Sequence, residues 1–322
     1  MRIRGSCENA SSILFFKSSD MKTQRIMDFK TLVEHVAARA ERKRVAVVWA
    51  ADLHSQEAVA EALRLGIVEV VFVGAREWIE KNPVLATLSD KWTYVDAANA
   101  DDAAKLAVRL CREGGAEVLM KGLINTDNLL KAVLDKENGL LPKGRVMTHI
   151  TATSLPVYKK LLFFTDPAVI PYPTPVQRAE QVRYVIDICR RLGVEEPKVS
   201  LIHCTEKVNE KHFPFTVDYT HLIADAAEGK FGSCIVDGPL DVKTSVDAEA
   251  MRTKGINSKI DGEADALVFP DIISGNVFYK TISLFPGVET AAMLVGPQVP
   301  VVLTSRGDSM LTKLYSIALA SI

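Results

Sequence analysis

Three stretches of this chain carry anion-suited side chains where an apolar run gives way to a helical period. In Val301-Val-Leu-Thr-Ser-Arg-Gly-Asp-Ser-Met310, the hydroxyls of Thr304 and Ser305, the guanidinium of Arg306 and the carboxylate of Asp308 crowd one short loop. A helix with its first turn near 308–311 would aim unpaired N–H groups and its positive end at that loop. Arg306 adds a planar fork that grips a phosphoryl group through two hydrogen bonds, and Ser305 adds a hydroxyl at the strand end. The plainer alternative is that Asp308 or Ser309 caps the helix and Arg306 is solvated. The second stretch, Pro270-Asp-Ile-Ile-Ser-Gly-Asn-Val-Phe-Tyr-Lys280, offers Asp271, Gly275, Asn276, Tyr279 and Lys280. Gly275 permits close backbone approach, and Asn276 and Lys280, four apart, share a helix face. The third, Met120-Lys-Gly-Leu-Ile-Asn-Thr-Asp-Asn-Leu-Leu-Lys131, has Lys121 at a strand end, Asn125 or Thr126 as a helix cap, and Lys131. Each alone also reads as a capped turn with a solvated cation; three together point to a phosphorylated ligand.

Other chemistries find no foothold. The chain has no G-x-G-x-x-G, no G-x-x-x-x-G-K-[ST], no H-E-x-x-H and no G-x-S-x-G. Its six histidines show no metal-ligand spacing and read as surface or satisfied core residues, so no metal site is expected. Five cysteines lie far apart without a Cys-x-x-Cys pair, which fits a reducing cytoplasm better than a disulfide framework.

The elements that must position these loops follow from periodicity. Short β-branched runs alternate with 3.6-residue apolar periods, the pattern of βα units and a mostly parallel sheet. The spacing predicts strands at 45–49, 68–73, 93–95 and 116–120. It also predicts amphipathic helices through Ala58, Val59, Ala62 and Leu63, and through Ala104, Leu106, Ala107 and Leu110. Strands at 146–151 and 161–165 follow each other without a helix, then a proline-rich turn starts a helix over 176–192. Further strands are expected near 199–203, 234–236, 266–269, 291–295 and 301–303. The expected fold is α/β, with two α/β/α domains, mostly parallel sheets and a cleft between them. Residues 25–155 plus 298–322 form the first domain and 156–297 the second.

With 322 residues, 39 basic against 40 acidic, 48% hydrophobic and 25% charged, composition is ordinary for a globular chain. That argues against a nucleic-acid or membrane partner, and no apolar stretch approaches the roughly 18 residues of a membrane span. Residues 1–24 carry no clear period and are expected to be a disordered extension or a mis-assigned start.

Six ordered motifs give the chain a resemblance to the phosphate acetyltransferase and butyryltransferase family over about residues 25–322. They are Met120-Lys-Gly-Leu-Ile-Asn-Thr-Asp127, Asp135-Lys-Glu-Asn-Gly-Leu-Leu-Pro142, Leu162-Phe-Phe-Thr-Asp166, Val236-Asp-Gly-Pro-Leu240, Pro270-Asp-Ile-Ile-Ser-Gly-Asn276 with Tyr279-Lys280, and Thr304-Ser-Arg-Gly-Asp-Ser309. The segment Asn138-Gly-Leu-Leu-Pro-Lys-Gly-Arg145 and the Thr-Ser-Arg-x-Asp-Ser ending resemble the butyryl branch more than the acetyl one.

The resemblance implies reversible transfer between acyl-CoA plus phosphate and acyl phosphate plus CoA. CoA is then a substrate or product rather than a bound cofactor, on an isocitrate/isopropylmalate dehydrogenase-like architecture, usually as a homodimer. Butyryl, branched or propionyl groups are expected over acetyl. On this reading Ser305, Arg306 and Asp308 are catalytic, while Lys121, Asn125, Lys131, Asp271, Gly275, Asn276, Tyr279, Lys280 and Thr304 hold phosphate and CoA. Acetyl-type members carry an acidic residue six positions after the motif arginine, where this chain has Thr312, so the base is Asp308 or absent. Leu130 stands where the acetyl type has an arginine, with Lys131 beside it. The alternatives are a noncatalytic acyl-CoA-sensing module, against which the complete Ser305-Arg306 loop argues, and a decarboxylating dehydrogenase, which would need clustered aspartates.

Overall fold

The structure is a computed structural model that describes residues 25–305 and 307–322, so the expectations for 1–24 lie outside the described residues. Through the first half run α1 (Phe29–Ala37), β1 (Lys43–Val48), α2 (Leu53–Leu65), β2 (Val68–Val73), α3 (Arg76–Glu80), α4 (Pro83–Thr87), β3 (Trp92–Val95), α5 (Ala100–Arg112), β4 (Val118–Lys121) and α6 (Thr126–Val133). Then come β5 (Thr148–Ser154), β6 (Leu162–Thr165), α7 (Pro175–Arg191), β7 (Lys198–Ile202), α8 (Phe215–Ala227), β8 (Ile235–Leu240), α9 (Val242–Val246) and α10 (Ala248–Thr253). The chain ends with β9 (Ala266–Val268), α11 (Ile272–Ile282), β10 (Glu289–Val295), β11 (Val301–Val302) and α12 (Met310–Ala320).

Among the described residues all strands join one 11-stranded sheet in the order β3-β2-β1-β4-β11-β10-β5-β6-β9-β7-β8. The block β3-β2-β1-β4-β11 is parallel, and so is β6-β9-β7-β8. Antiparallel pairings of β10 with β11 and β5, and of β5 with β6, join the two blocks. The fold is thus α/β around a mostly parallel but mixed sheet, its two parallel blocks running in opposite senses.

Both faces of the sheet are covered, as parallel strands require. In β1, Val45 and Val47 pack with Phe29 and Leu63 on one side, while Ala46 and Val48 pack with Ala103, Ala107 and Leu119 on the other. The predicted face of α2 is buried throughout. In α5 the buried stripe is Ala103, Ala104, Ala107, Val108 and Cys111, leaving Leu106 and Leu110 half-buried. Alanines face the sheet there because a thin side brings the helix close, and the larger leucines fall to the flank. The last helix returns to the first block. It packs on α2 and β10, Tyr315 stacks on Phe29 at 4.6 Å, and Ser316 Oγ accepts the Ala292 N–H at 2.9 Å.

Candidate functional site

Register brings the first and third loops together. Strands β4 and β11 are parallel neighbours paired Leu119 to Val301 and Met120 to Val302, so their carboxyl ends deliver Lys121 and residues 303–305 side by side. Gly122 turns the chain there: its N–H donates to Val48 O at 2.9 Å, and a Cβ would sit 2.5 Å from that same oxygen. Lys121 is 4% exposed. The second loop arrives through α11, which places Asn276, Tyr279 and Lys280 opposite.

These residues line one cavity of about 490 Å³, together with Asn125, Thr126, His149, Pro167, Ala168, Ala292, Leu303, Thr304, Ser305 and Asp308. Of the site residues expected from sequence, it therefore gathers Lys121, Asn125, Asn276, Tyr279, Lys280, Thr304, Ser305 and Asp308. Arg306 lies outside the described residues. Among the described residues no three His, Cys, Asp or Glu side chains cluster to hold a metal ion.

The structure places the other expected residues, and the contacts of some within the cavity, as follows. Lys131 is not in the cavity: it is exposed near the end of α6, in a separate groove with Lys105, Arg109 and Arg112 of α5. Asn125 is the cap of that helix, accepting the Asp127 N–H at 3.0 Å, and six residues at 1.5 Å each carry Lys131 away from it. Gly275 does allow a close approach, but to protein: a Cβ there would lie 2.7 Å from the carbonyl oxygen of Asp166. Asp271 caps α11 by accepting the Ser274 N–H at 2.8 Å and does not line the cavity. Asn276 donates to Pro167 O at 2.9 Å, tying α11 to the loop after β6.

At the last loop the cap is Ser309, not Asp308: Ser309 is extended (φ −64°, ψ 162°) and its Oγ accepts the Thr312 N–H. Asp308 instead accepts the Ser305 N–H at 2.6 Å, closing the loop on itself. Ser309→Ala should cost about 1 kcal/mol, lowering Tm by about 2–4 °C. An unchanged melting temperature in scanning calorimetry would refute the cap.

Sequence reasoning missed three buried groups beneath the cavity. Lys313 of α12 is 3% exposed and donates to Thr304 Oγ1 at 3.1 Å and to Ser305 O at 3.2 Å. Burial pulls its pKa below 10.5, against the opposing pull of Asp52 and Asp308. Asp166 accepts from Thr148 Oγ1 and from the N–H groups of Ala168, Val169 and Ile170, which shapes the loop that includes Pro167. His149, 5% exposed on β5, lines the cavity itself, with Nδ1 3.3 Å from Thr151 Oγ1. Nothing in the spacing of a lysine within an amphipathic helix, or of a histidine in a strand, distinguishes these from ordinary surface or core residues. Burial also pushes the Tyr279 hydroxyl up to about 12, with Asp308 adding to the rise, so at neutral pH it is a donor.

Among the described residues three lysines, Lys121, Lys280 and Lys313, thus stand in or under a cavity with one lining carboxylate, Asp308. The arrangement suits a multiply charged anion held beside a reacting group.

Comparison with known proteins yields concordant matches. A family model described as "Phosphate acetyl/butaryl transferase" matches residues 91–321. The chain is 36% identical over 298 residues to a phosphate butyryltransferase of Clostridium acetobutylicum, covering 92% of this chain and 98% of that one. It is 35% identical to a phosphate acetyltransferase of Thermotoga maritima, covering 92% and 99%. A branched-chain phosphotransacylase from Enterococcus faecalis V583 superposes with a TM-score of 0.75 at 31% identity, over 86% of this chain and 97% of that one.

Proposed function

Because the chain belongs to the phosphate acetyl/butyryl transferase family, and is thus a phosphate-using acyltransferase, we propose that this cavity is where acyl-CoA and inorganic phosphate meet. The observation that carries the reading is the register of β4 and β11, which sets Lys121 beside Thr304 and Ser305 with Lys280 across the cavity. Lys121, Lys280 and Arg306 hold the phosphate. The loop N–H groups and Arg306 stabilise the oxyanion that develops on the acyl carbonyl, and Ser305 hydrogen-bonds the reacting centre. Asp308 shapes the loop through its Oδ2, which accepts the Ser305 N–H at 2.6 Å. The halves 25–155 plus 298–322 and 156–297 form the two walls.

The acyl group is a butyryl, branched or propionyl chain rather than acetyl, a preference supported by the 138–145 segment and not ranked by relatives at 36% and 35% identity. The enzyme works in the cytoplasm as a homodimer. Supporting that pairing, Tyr172, Val176, Ile273 and Val277 are exposed apolar residues, and the Ile272 N–H donates to Pro171 O, drawing their two segments together.

The test is phosphate-dependent release of CoA thiol from acetyl-, propionyl-, butyryl- and isobutyryl-CoA. Release should be faster with the four-carbon and propionyl thioesters than with acetyl. One methylene is worth about 1–3 kcal/mol of discrimination, or roughly 10–200-fold. Acetyl-CoA turning over fastest would overturn the chain-length preference; no turnover with any of them would overturn the assignment of the cavity.

A further inference from the structure

The transfer moves a proton as well as an acyl group. When HPO4²⁻ attacks acyl-CoA, a phosphate oxygen bonds the acyl carbon, the carbon–sulfur bond breaks, and the proton leaving phosphate ends on the CoA sulfur. The reverse direction returns it. A group that takes and gives that proton must face the cavity, be basic near neutral pH and be reachable from both oxygen and sulfur.

Among the described residues Asp308 is the one lining carboxylate, and its Oδ2 accepts the Ser305 N–H at 2.6 Å. Tyr279, its hydroxyl pushed up to about 12 by burial, is a donor rather than a base at neutral pH. His149 is different. It projects from β5 into the same cavity and is 5% exposed, with Thr151 Oγ1 3.3 Å from Nδ1. An Nδ1–H donated to that hydroxyl leaves the Nε2 lone pair for a cavity ligand.

We propose that His149 is the proton carrier of the reaction, accepting the proton from phosphate or from the CoA thiol at Nε2 and delivering it to the other. This rests on the reading of the cavity given above. Charges that act on the ring come from Asp166 just after β6, Asp308 in the loop before α12 and Lys280 of α11, and Lys121 of β4 lines the same cavity. Burial and Lys280 lower the imidazole's pKa, and the two carboxylates oppose them, with the net direction downward. The neutral, proton-accepting ring is therefore the resting form at pH 7. The carboxylates then stabilise the imidazolium as it forms. Asp166 is anchored by Thr148 and three backbone N–H groups, so its charge stays in place during the transfer.

The experiment follows thiol consumption from acyl phosphate plus CoA between pH 6 and 9, with the full chain and His149→Gln. At pH 7 the variant should lose about 10²–10³-fold in kcat while KM for CoA stays nearly the same. Its rate should then climb about tenfold per pH unit toward the thiol pKa of about 8.5, because thiolate formed by solvent no longer needs the base. The gap to the parent therefore closes with pH, which a merely structural lesion would not produce. A pH-independent gap, or parental activity in the variant, overturns the assignment.

Should His149→Gln fail to fold, Thr151→Val keeps the imidazole and removes its Nδ1 partner. It should lower kcat about tenfold and displace the acidic limb of the profile, and an unchanged profile overturns the proposal. An inactive parent overturns the acyl-transfer reading and this proposal with it; an active parent with an unaffected variant overturns only the role of His149.

Discussion

On the proposed role, Arg306→Ala should lower kcat/KM for phosphate about 10³-fold and leave the melting temperature within a degree or two. The size follows from what the side chain supplies. Removing one preorganised donor to a developing oxyanion costs about 10²–10³-fold, and a guanidinium contributes two donors together with its charge. The stability expectation follows from position. In sequence Arg306 falls between Ser305 and Gly307, and the described residues around it are held by contacts of their own: Asp308 on the Ser305 N–H, Lys313 on Thr304 and Ser305, and Ser309 as the helix cap. Arg306→Lys should fall between parent and alanine variant, because a point charge survives and the planar fork does not. Steady-state kinetics with varied phosphate reads the effect. Activity equal to the parent would mean that Lys121 and Lys280 alone hold the anion, and the loop's assignment would fall.

Periodicity exposed the strands because most are buried on both faces and their β-branched runs are bounded by turn residues; 68–73 matches β2 residue for residue. Composition could not reveal that β10 and β5 run antiparallel between two parallel blocks. Direction is a property of pairing, and Ala291 or Ile150 is equally apolar either way. The loops after β4 and β11 were legible because helix caps and glycines have local requirements. Their meeting depended on strand order, which no local rule supplies. Lys131 shows the limit of residue type alone: a lysine near a promising loop reads the same whether the helix carries it into the cavity or away. His149, Asp166 and Lys313 show the converse, since each takes its meaning from burial and from the way strand and helix packing sets it against the cavity, which no window of sequence displays.

Lys313→Met should raise KM for phosphate about tenfold and lower kcat by a similar factor, with a stability signature that separates charge from packing. The ammonium holds Thr304 Oγ1 at 3.1 Å and Ser305 O at 3.2 Å, so methionine fills the space but releases the loop and removes a buried positive charge. Because burial lowers the folded-state pKa below the unfolded value of 10.5, the charged lysine penalises folding. That penalty is complete at neutral pH and is relieved as pH rises through the folded pKa toward 10.5. The melting temperature of the parent should therefore gain on that of Lys313→Met across the alkaline range, and thermal melts from pH 7 to 10.5 measure it. A parent-minus-variant difference that stays flat or falls with pH would show that the lysine keeps its proton throughout and carries no such penalty. The same proton links stability to function. As it leaves, the parent loses the cation beneath the loop, so its phosphate KM should drift upward toward that of the variant over the pH range in which its relative stability improves. A protein stabilised by alkali while its anion affinity weakens is the expected behaviour of a charge kept buried for binding rather than for folding.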